Sequence, residues 1–429
     1  MKILIISYYY YPMNNPRSFR WINLSQEFVK NKHSVDVLSF KNSCDLKYEK
    51  INGVNVFRSS DLLSVLKKKF KKNNYSNIKS NKKYRFYNLE FIKNYILKIF
   101  NSILNNLIWP DFAFMWYFTS NKKAIQLFNK NKYNLIITVS HPFTSHLVGL
   151  KIKKKYPNIF WIADSGDPFS FGSLSPSNNF NIYSSLNKIV ENKVFLKANY
   201  LTVTTEGTKN IYINLFKNIS NKIKVIPPLY DKASINSQND LIFLNDNKII
   251  LSFFGALYKD IRNPKPLLNL LNLIISNNKL LSDKIELHFY GEINDCIDII
   301  EEFPLIKKNI FIHGLIKKEE AYYKMKSSDI LINIGNKSTY QLPSKIIDYI
   351  SVKKPILNIC SINNDSSKKY LSFFPFVFNY LPGEKIKPLI DFIRFSKKIK
   401  INNNDINFFM KNHYPDVISK KYLSLINNH

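Results

Sequence analysis

What most constrains this chain is a recurring unit: a short apolar run, a polar loop, then residues spaced like one face of a helix. Residues 2–7, KILIIS, open the series and lead through a loop into 18–30, where Phe19, Ile22, Leu24, Phe28 and Val29 carry helical spacing. The run SVDVLSF at 34–40 reads as the next strand. Further runs at 134–139, 159–163, 222–226, 249–254, 285–290, 310–313 and 330–334 repeat the pattern. Strands joined through helices pair in parallel, and open parallel sheets place their sites at the carboxyl ends of the strands. At 429 residues the chain exceeds one ordinary core, and its 45% apolar content suffices for two. The mostly polar stretch 234–247 is the natural linker between a first domain at 1–233 and a second at 248–404.

The second domain carries its densest signal in DILINIGNKSTYQLPSKIIDYISVKKPIL, residues 329–357. Ile330 to Ile334 reads as a buried strand, Gly335 to Tyr340 as the loop after it, and Pro343 suits the first turn of a helix. With Ser344 beside it, that helix start offers unpaired N–H groups to an anion such as phosphate. Lys345 and Asp348 lie one turn apart, opposite the stripe of Ile346, Ile347 and Ile350. The cation suits a phosphate and the carboxylate suits ribose hydroxyls, which together suggest a nucleoside diphosphate. A capped surface helix with a solvated charge pair fits the same letters.

Two polar clusters follow strands of the first domain: Ser140-His141-Pro142, and Asp164-Ser165-Gly166-Asp167-Pro168. His141 and Asp167 are their candidates for chemistry, with a capping or core role the alternative for the histidine. The loop after the first strand, PMNNPRSFRW, has no glycine, and Arg17 and Arg20 are its candidate anion contacts, packing or surface roles being the alternative. From about 61 to 116 the chain holds KKKFKK and NKKYRFY and then an apolar, aromatic run. Basic residues interleaved with aromatics suit an anionic membrane, a single-stranded nucleic acid, or a solvated insertion.

The charge balance narrows the partners without choosing among them. Lys and Arg number 63 against 31 Asp and Glu, a net +32, so nucleotide-sugars, phospholipid surfaces, lipid pyrophosphates and nucleic acid are all admitted. Lysines in Asn- and Ile-rich company throughout also fit an AT-rich coding bias. Cys44, Cys296 and Cys360 are far apart and show no metal-ligand spacing, which points to a reduced, cytoplasmic protein. MKILIISYYYYP is too briefly apolar for a secretory signal, and no run approaches the ~20 residues of a membrane span, so any membrane contact is expected to be peripheral.

The wording QLPSKIIDYISVKKPIL resembles the donor-site segment of GT-B glycosyltransferases, in particular the family-4 retaining enzymes of bacterial surface-polysaccharide synthesis. Much of that family has a Glu-x7-Glu motif here whose second Glu holds the donor ribose. Asp348 takes that second position, and Tyr340, eight residues earlier, is not an acid. The segment is similar to a branch written Leu-Pro-Ser-Lys followed by an acidic residue. SHPFTSHLVG and IADSGDPF resemble the same branch, where the second segment usually reads Asp-x-Arg-Asp-Pro-Trp; here Gly166 stands for the arginine and Phe169 for the tryptophan. After Gly255 the family often has an Arg and, five or six residues on, a Lys; this chain has Ala256 and then Arg262. Gly291 ends another strand, and the loop at Gly314 resembles the one whose backbone, around Leu315, borders the nucleotide base. The run 407–426 looks like the family's terminal helix crossing back to the first domain, which would occupy 405–429.

That resemblance implies an α/β chain of GT-B fold, two Rossmann-like doubly wound domains facing each other across a cleft. It implies a glycosyltransferase carrying a sugar from a nucleoside diphosphate-sugar to a hydroxyl of a lipid-linked or saccharide acceptor, for lipopolysaccharide or capsule. Asp167 and His141 would be catalytic, and Gly255, Arg262, Gly291, Leu315, Ser344, Lys345 and Asp348 would bind the donor. No metal is expected, since no convincing Asp-x-Asp site is present and cations can neutralise the phosphates; no cofactor beyond the nucleotide-sugar co-substrate is expected either. A peripheral anionic contact at the inner face of the plasma membrane is expected, and nucleic acid is not, because no recognised module accompanies the charge. A nucleotide-sugar epimerase of the same shape and a non-catalytic basic membrane-associated scaffold are the alternatives.

Overall fold

The computed structural model describes residues 1–13, 15–42, 44–62, 107–172, 176–230, 247–343, 345–372 and 374–427. Most of the basic insertion, at 63–106, and nearly all of the 234–247 linker lie outside the described residues, as does Ser344. Of the described residues, 1–204, 209–226 and those from Lys421 onward form unit 1, while 205–208 and 227–420 form unit 2. Residues 405–420 therefore group with unit 2, and only the last two turns of helix Pro415–Asn427 belong to unit 1.

Unit 1 is built on β1 (Lys2–Ser7), β2 (Ser34–Phe40), β3 (Tyr48–Ile51), β4 (Val54–Ser59), β5 (Leu135–Ser140), β6 (Phe160–Ser165), β7 (Tyr200–Val203) and β8 (Ile223–Val225). They lie in the order β3-β4-β2-β1-β5-β6-β7-β8, parallel throughout except for β3 against β4. Every residue of β5 is buried, as a central parallel strand covered on both faces requires, which is why LIITVS reads as a continuous run. The β3–β4 hairpin was absent from the sequence reading. Its signal is Asn52-Gly53, both at positive φ (49° and 85°), the pair a tight primed turn demands between strands. Helix Pro16–Lys30 starts where Asn15 accepts a hydrogen bond from the Arg17 N–H at 2.9 Å and Pro16 fills the first helical position. It buries Trp21, Leu24 and Phe28.

Unit 2 carries β9 (Ile249–Phe254), β10 (Ile285–Tyr290), β11 (Ile310–Gly314), β12 (Ile330–Ile334), β13 (Ile356–Ile359) and β14 (Val377–Tyr380), all parallel in the order β11-β10-β9-β12-β13-β14. Numbered within the unit this is 3-2-1-4-5-6, the order of dinucleotide-binding domains. Unit 1 has the same core order once the β3 edge is set aside. Leu267, Leu271 and Ile274 of helix Lys265–Asn277 pack with one apolar cluster of unit 2, and Ile346, Tyr349 and Ile350 of helix Lys345–Ser351 with the other. The strand order reverses between β1 and β5 and between β9 and β12. Loops that leave those pairs diverge to opposite faces, and the crevice so formed is where open α/β sheets hold ligands.

Candidate active site

In unit 2 the crevice is floored by glycines. Gly255 and Gly291, at φ +151° and +131°, follow β9 and β10, and Gly314, at φ +70°, ends β11. Backbone bonds tie the row together: Gly255 N–H donates to Tyr290 O at 2.9 Å and Gly291 N–H to Gly314 O at 2.7 Å. A Cβ on Gly291 would stand 2.1 Å from Gly255 O, so no side chain fits there. Leu315, just beyond, is 75% exposed. Behind the row, Phe254 stacks on Tyr290 (4.7 Å between centroids, 9°) and Tyr290 on His313 (4.3 Å, 10°). This aromatic ladder went unread in the sequence, although Phe254, Tyr290 and His313 each stand at or next to a strand end.

Arg262 is carried by a tight turn closed by reciprocal backbone bonds between Tyr258 and Arg262. Its guanidinium reaches across the switch from the β9 loop to the β12 loop. Nε and Nη2 donate to Asn336 Oδ1 at 3.2 and 3.0 Å, and Nη1 to Ala256 O at 3.3 Å. All these acceptors are neutral. Among the described residues no carboxylate pairs with Arg262, and burial lowers its pKa, opposed only by Tyr349 and Tyr258. With Lys345, Asn333, Pro343, Tyr349, Phe253 and Phe254 it lines a small pocket.

Lys345 and Asp348 meet each other, Nζ to Oδ2 at 3.2 Å, both partly exposed. The charge pair of the alternative reading is thus present, and a phosphate on Lys345 would take it from Asp348. Their helix is anchored by Tyr349, whose hydroxyl accepts from Phe254 N–H at 2.9 Å at the end of β9. Asn333 is held by an amide ladder through the buried sheet: it donates to Asn358 Oδ1, and Asn358 donates to Asn379 Oδ1, both at 2.7 Å. The residues are in register on β12, β13 and β14.

In unit 1, Arg17 and Asp167 come together although 150 positions apart. Arg17 Nη2 lies 3.2 Å from Asp167 Oδ2, with the carboxylate half exposed. Gly166 makes room: a Cβ there would sit 1.5 Å from Arg17 Nη2. The position where the resembled branch has an arginine is thus occupied by a guanidinium from another element. His141 joins this group, its Nδ1 3.3 Å from Ser177 Oγ. Burial lowers its pKa, Asp111 and then Asp167 draw it back up, and Arg17 pushes it down.

Asp111 escaped the sequence reading because it lies in an apolar aromatic run. It is fully buried, accepting from Thr144 Oγ1 at 2.7 Å, Thr144 N–H at 2.9 Å and Ala113 N–H at 3.0 Å, and burial raises its pKa. Phe112 beside it is half exposed, its ring 5.4 Å from both His141 and Tyr8. Arg20 departs from the expectation of an anion contact. It is 6% exposed, and Nη2 donates to Tyr422 OH at 3.2 Å and Ile226 O at 3.3 Å. Tyr422 in turn donates to buried Asp164 at 2.7 Å, which also accepts from Thr202 and Trp21. Helix Pro16–Lys30 turns one arginine out to the site and the other into the core.

No protein family's sequence profile matches the chain, and no curated protein matches it. Solved structures match over its whole length. Sucrose-phosphate synthase from Thermosynechococcus elongatus shares 11% identity at a TM-score of 0.66, covering 100% of this chain and 98% of that one. HepE from Anabaena, in complex with UDP and glucose, shares 13% at 0.60, covering 100% of both chains. The lipopolysaccharide outer core galactosyltransferase WaaB, in its apo form, shares 14% at 0.59, covering 100% and 99%. The likeness is one of fold, and that fold is GT-B, as the resemblance implied.

Proposed function

We propose that this protein is a glycosyltransferase that moves a sugar from a nucleoside diphosphate-sugar to a hydroxyl of a lipid-linked or saccharide acceptor in cell-surface polysaccharide synthesis. The observation that carries the reading is Arg262: a partly buried cation at the switch of a dinucleotide-type sheet, with only neutral partners among the described residues. Such a charge is costly unless an anion meets it, and a diphosphate is the anion this crevice suits. Support comes from the fold shared with a structure holding UDP and glucose and with a lipopolysaccharide galactosyltransferase.

In this reading the bond from the anomeric carbon to the diphosphate oxygen breaks, and the electron pair leaves with the phosphate. Arg262 and Lys345 stabilise that growing charge in place of a metal, Asp348 holds the ribose, and the backbone at Gly255, Gly291 and Leu315 borders the nucleotide. The acceptor oxygen bonds to the same carbon with retention of configuration, and its proton passes to Asp167 or His141. No cofactor beyond the nucleotide-sugar takes part, and the work is done at the inner face of the plasma membrane.

A panel of nucleotide-sugars screened for thermal stabilisation identifies the donor, and single-turnover transfer then tests the roles. Lys345→Ala should weaken both donor binding and turnover, because phosphate charge is present in the ground state and grows in the transition state. Asp167→Asn should keep donor affinity and lose turnover by about a hundredfold. Native donor affinity in Lys345→Ala rejects its role, and no stabilisation by any nucleotide-sugar rejects the reading.

A further inference from the structure

Helix Phe180–Lys197 of unit 1 has two apolar faces where its packing needs one. Val194 and Phe195 are buried together with its one acid, Glu191, whose carboxylate is occupied by the N–H groups of Phe169 and Ser170 and the hydroxyl of Tyr212. On the other side Ile182, Leu186, Ile189 and Leu196 are 59%, 39%, 65% and 44% exposed. At helical spacing these positions fall on one narrow stripe, and Lys193 fills the remaining place in the series. Exposed Leu107 extends the surface, its carbonyl accepting from Tyr183 OH at 2.9 Å.

The charge around the stripe has one sign. Lys188, Lys193 and Lys197 are exposed, and the helix shows no exposed carboxylate. At its carboxyl end Lys197 stands near Lys153 and Lys222, whose pKa values are lowered first by burial and then by neighbouring lysines, with no acid offsetting either. Apolar side chains framed by uncompensated ammonium groups match an anionic lipid interface, where long lysine stems also let Lys193 reach outward from within the stripe. A second copy of this face would bring the same positive charge against it.

We propose that helix Phe180–Lys197 docks the protein on anionic bilayers, Ile182, Leu186, Ile189 and Leu196 entering the interface while Lys188, Lys193 and Lys197 meet lipid phosphates. The helix itself lies outside the 61–116 insertion, of which Leu107 adjoins it, and the proposal does not depend on which reaction the protein performs. The full chain should co-sediment with vesicles of phosphatidylcholine and phosphatidylglycerol in equal parts and not with phosphatidylcholine alone. Two variants, Ile182→Ser/Ile189→Ser/Leu196→Ser and Lys188→Gln/Lys193→Gln/Lys197→Gln, should each bind about tenfold or more weakly. Binding by either variant as tight as native, including binding carried wholly by the insertion, overturns the proposal. So does equal binding to both vesicle types, or a native dimer in sedimentation velocity that the apolar variant abolishes. Should a variant fail to fold, a second reading decides: Ile189→Cys in a Cys44→Ser background, labelled with an environment-sensitive fluorophore, should shift its emission to the blue on anionic vesicles. An unshifted probe on bound protein overturns the inference. Donor-induced thermal stabilisation, measured without lipid, reports separately on the proposed reaction.

Discussion

Gly166 shows how one missing side chain organises a site. Its hydrogen leaves the space that the Arg17 guanidinium fills on its way to Asp167. Gly166→Ala should therefore displace Arg17, free the carboxylate, and lower single-turnover transfer while donor affinity, measured by calorimetry, stays native; unchanged transfer would show the pair to be incidental. From the sequence, Gly166 could be read only as a departure from the Asp-x-Arg-Asp-Pro-Trp wording, because nothing local says that a residue 150 positions away supplies the group. Arg17 and Arg20 had equal standing as candidates in the loop, three positions apart. Only the packing of Tyr422 and Asp164 against Arg20 separates them.

At the scale of elements, helix Lys345–Ser351 depends on one phenol for its seat. Tyr349→Phe removes the acceptor of the Phe254 N–H at the end of β9, and an orphaned buried donor costs about 1–3 kcal/mol. Chemical denaturation should show a lower midpoint at unchanged slope, with a matching loss of donor affinity because Lys345 rides on the same turn. A native midpoint would mean the bond is replaced by water. Strands of this kind were readable: 2–7, 34–40, 249–254, 285–290 and 330–334 keep their expected bounds, since buried parallel strands are short apolar runs between polar loops. The β3–β4 hairpin has short strands in which every second residue faces away from the core, and it sits at an edge, so its apolar signal is thin and only Asn52-Gly53 announces it. The amide ladder from Asn333 to Asn379 was invisible for another reason: each Asn looks like a turn residue until the register of three strands brings them together.

For the molecule as a whole, acid is the expected weakness. His146 is completely buried, its Nδ1 2.7 Å from Thr138 Oγ1, and burial pushes its pKa down to about 3. Below its ordinary value the unfolded chain takes up a proton that the folded one refuses. Stability from this group is thus full above about pH 6.5 and falls by about 1.4 kcal/mol per pH unit down to about 3. Buried Asp111 and Glu191, whose pKa values are raised, pull the other way. The clean reading is therefore a difference: His146→Gln should unfold with a shallower pH dependence in that window, by one proton, and an unchanged slope would refute the assignment. Arg262 sets a second condition on the whole protein. Its partly buried charge has only neutral partners among the described residues, and a donor that meets it would stabilise the folded protein as far as its affinity and concentration allow. Arg262→Met should melt at or above the native temperature when empty and gain nothing from the donor; a variant still stabilised by donor would refute this. Since proteases cut what opens, under the proposed function a cell short of the nucleotide-sugar would hold a softer protein and lose it sooner, so the protein's abundance would follow the supply of its donor without any regulator.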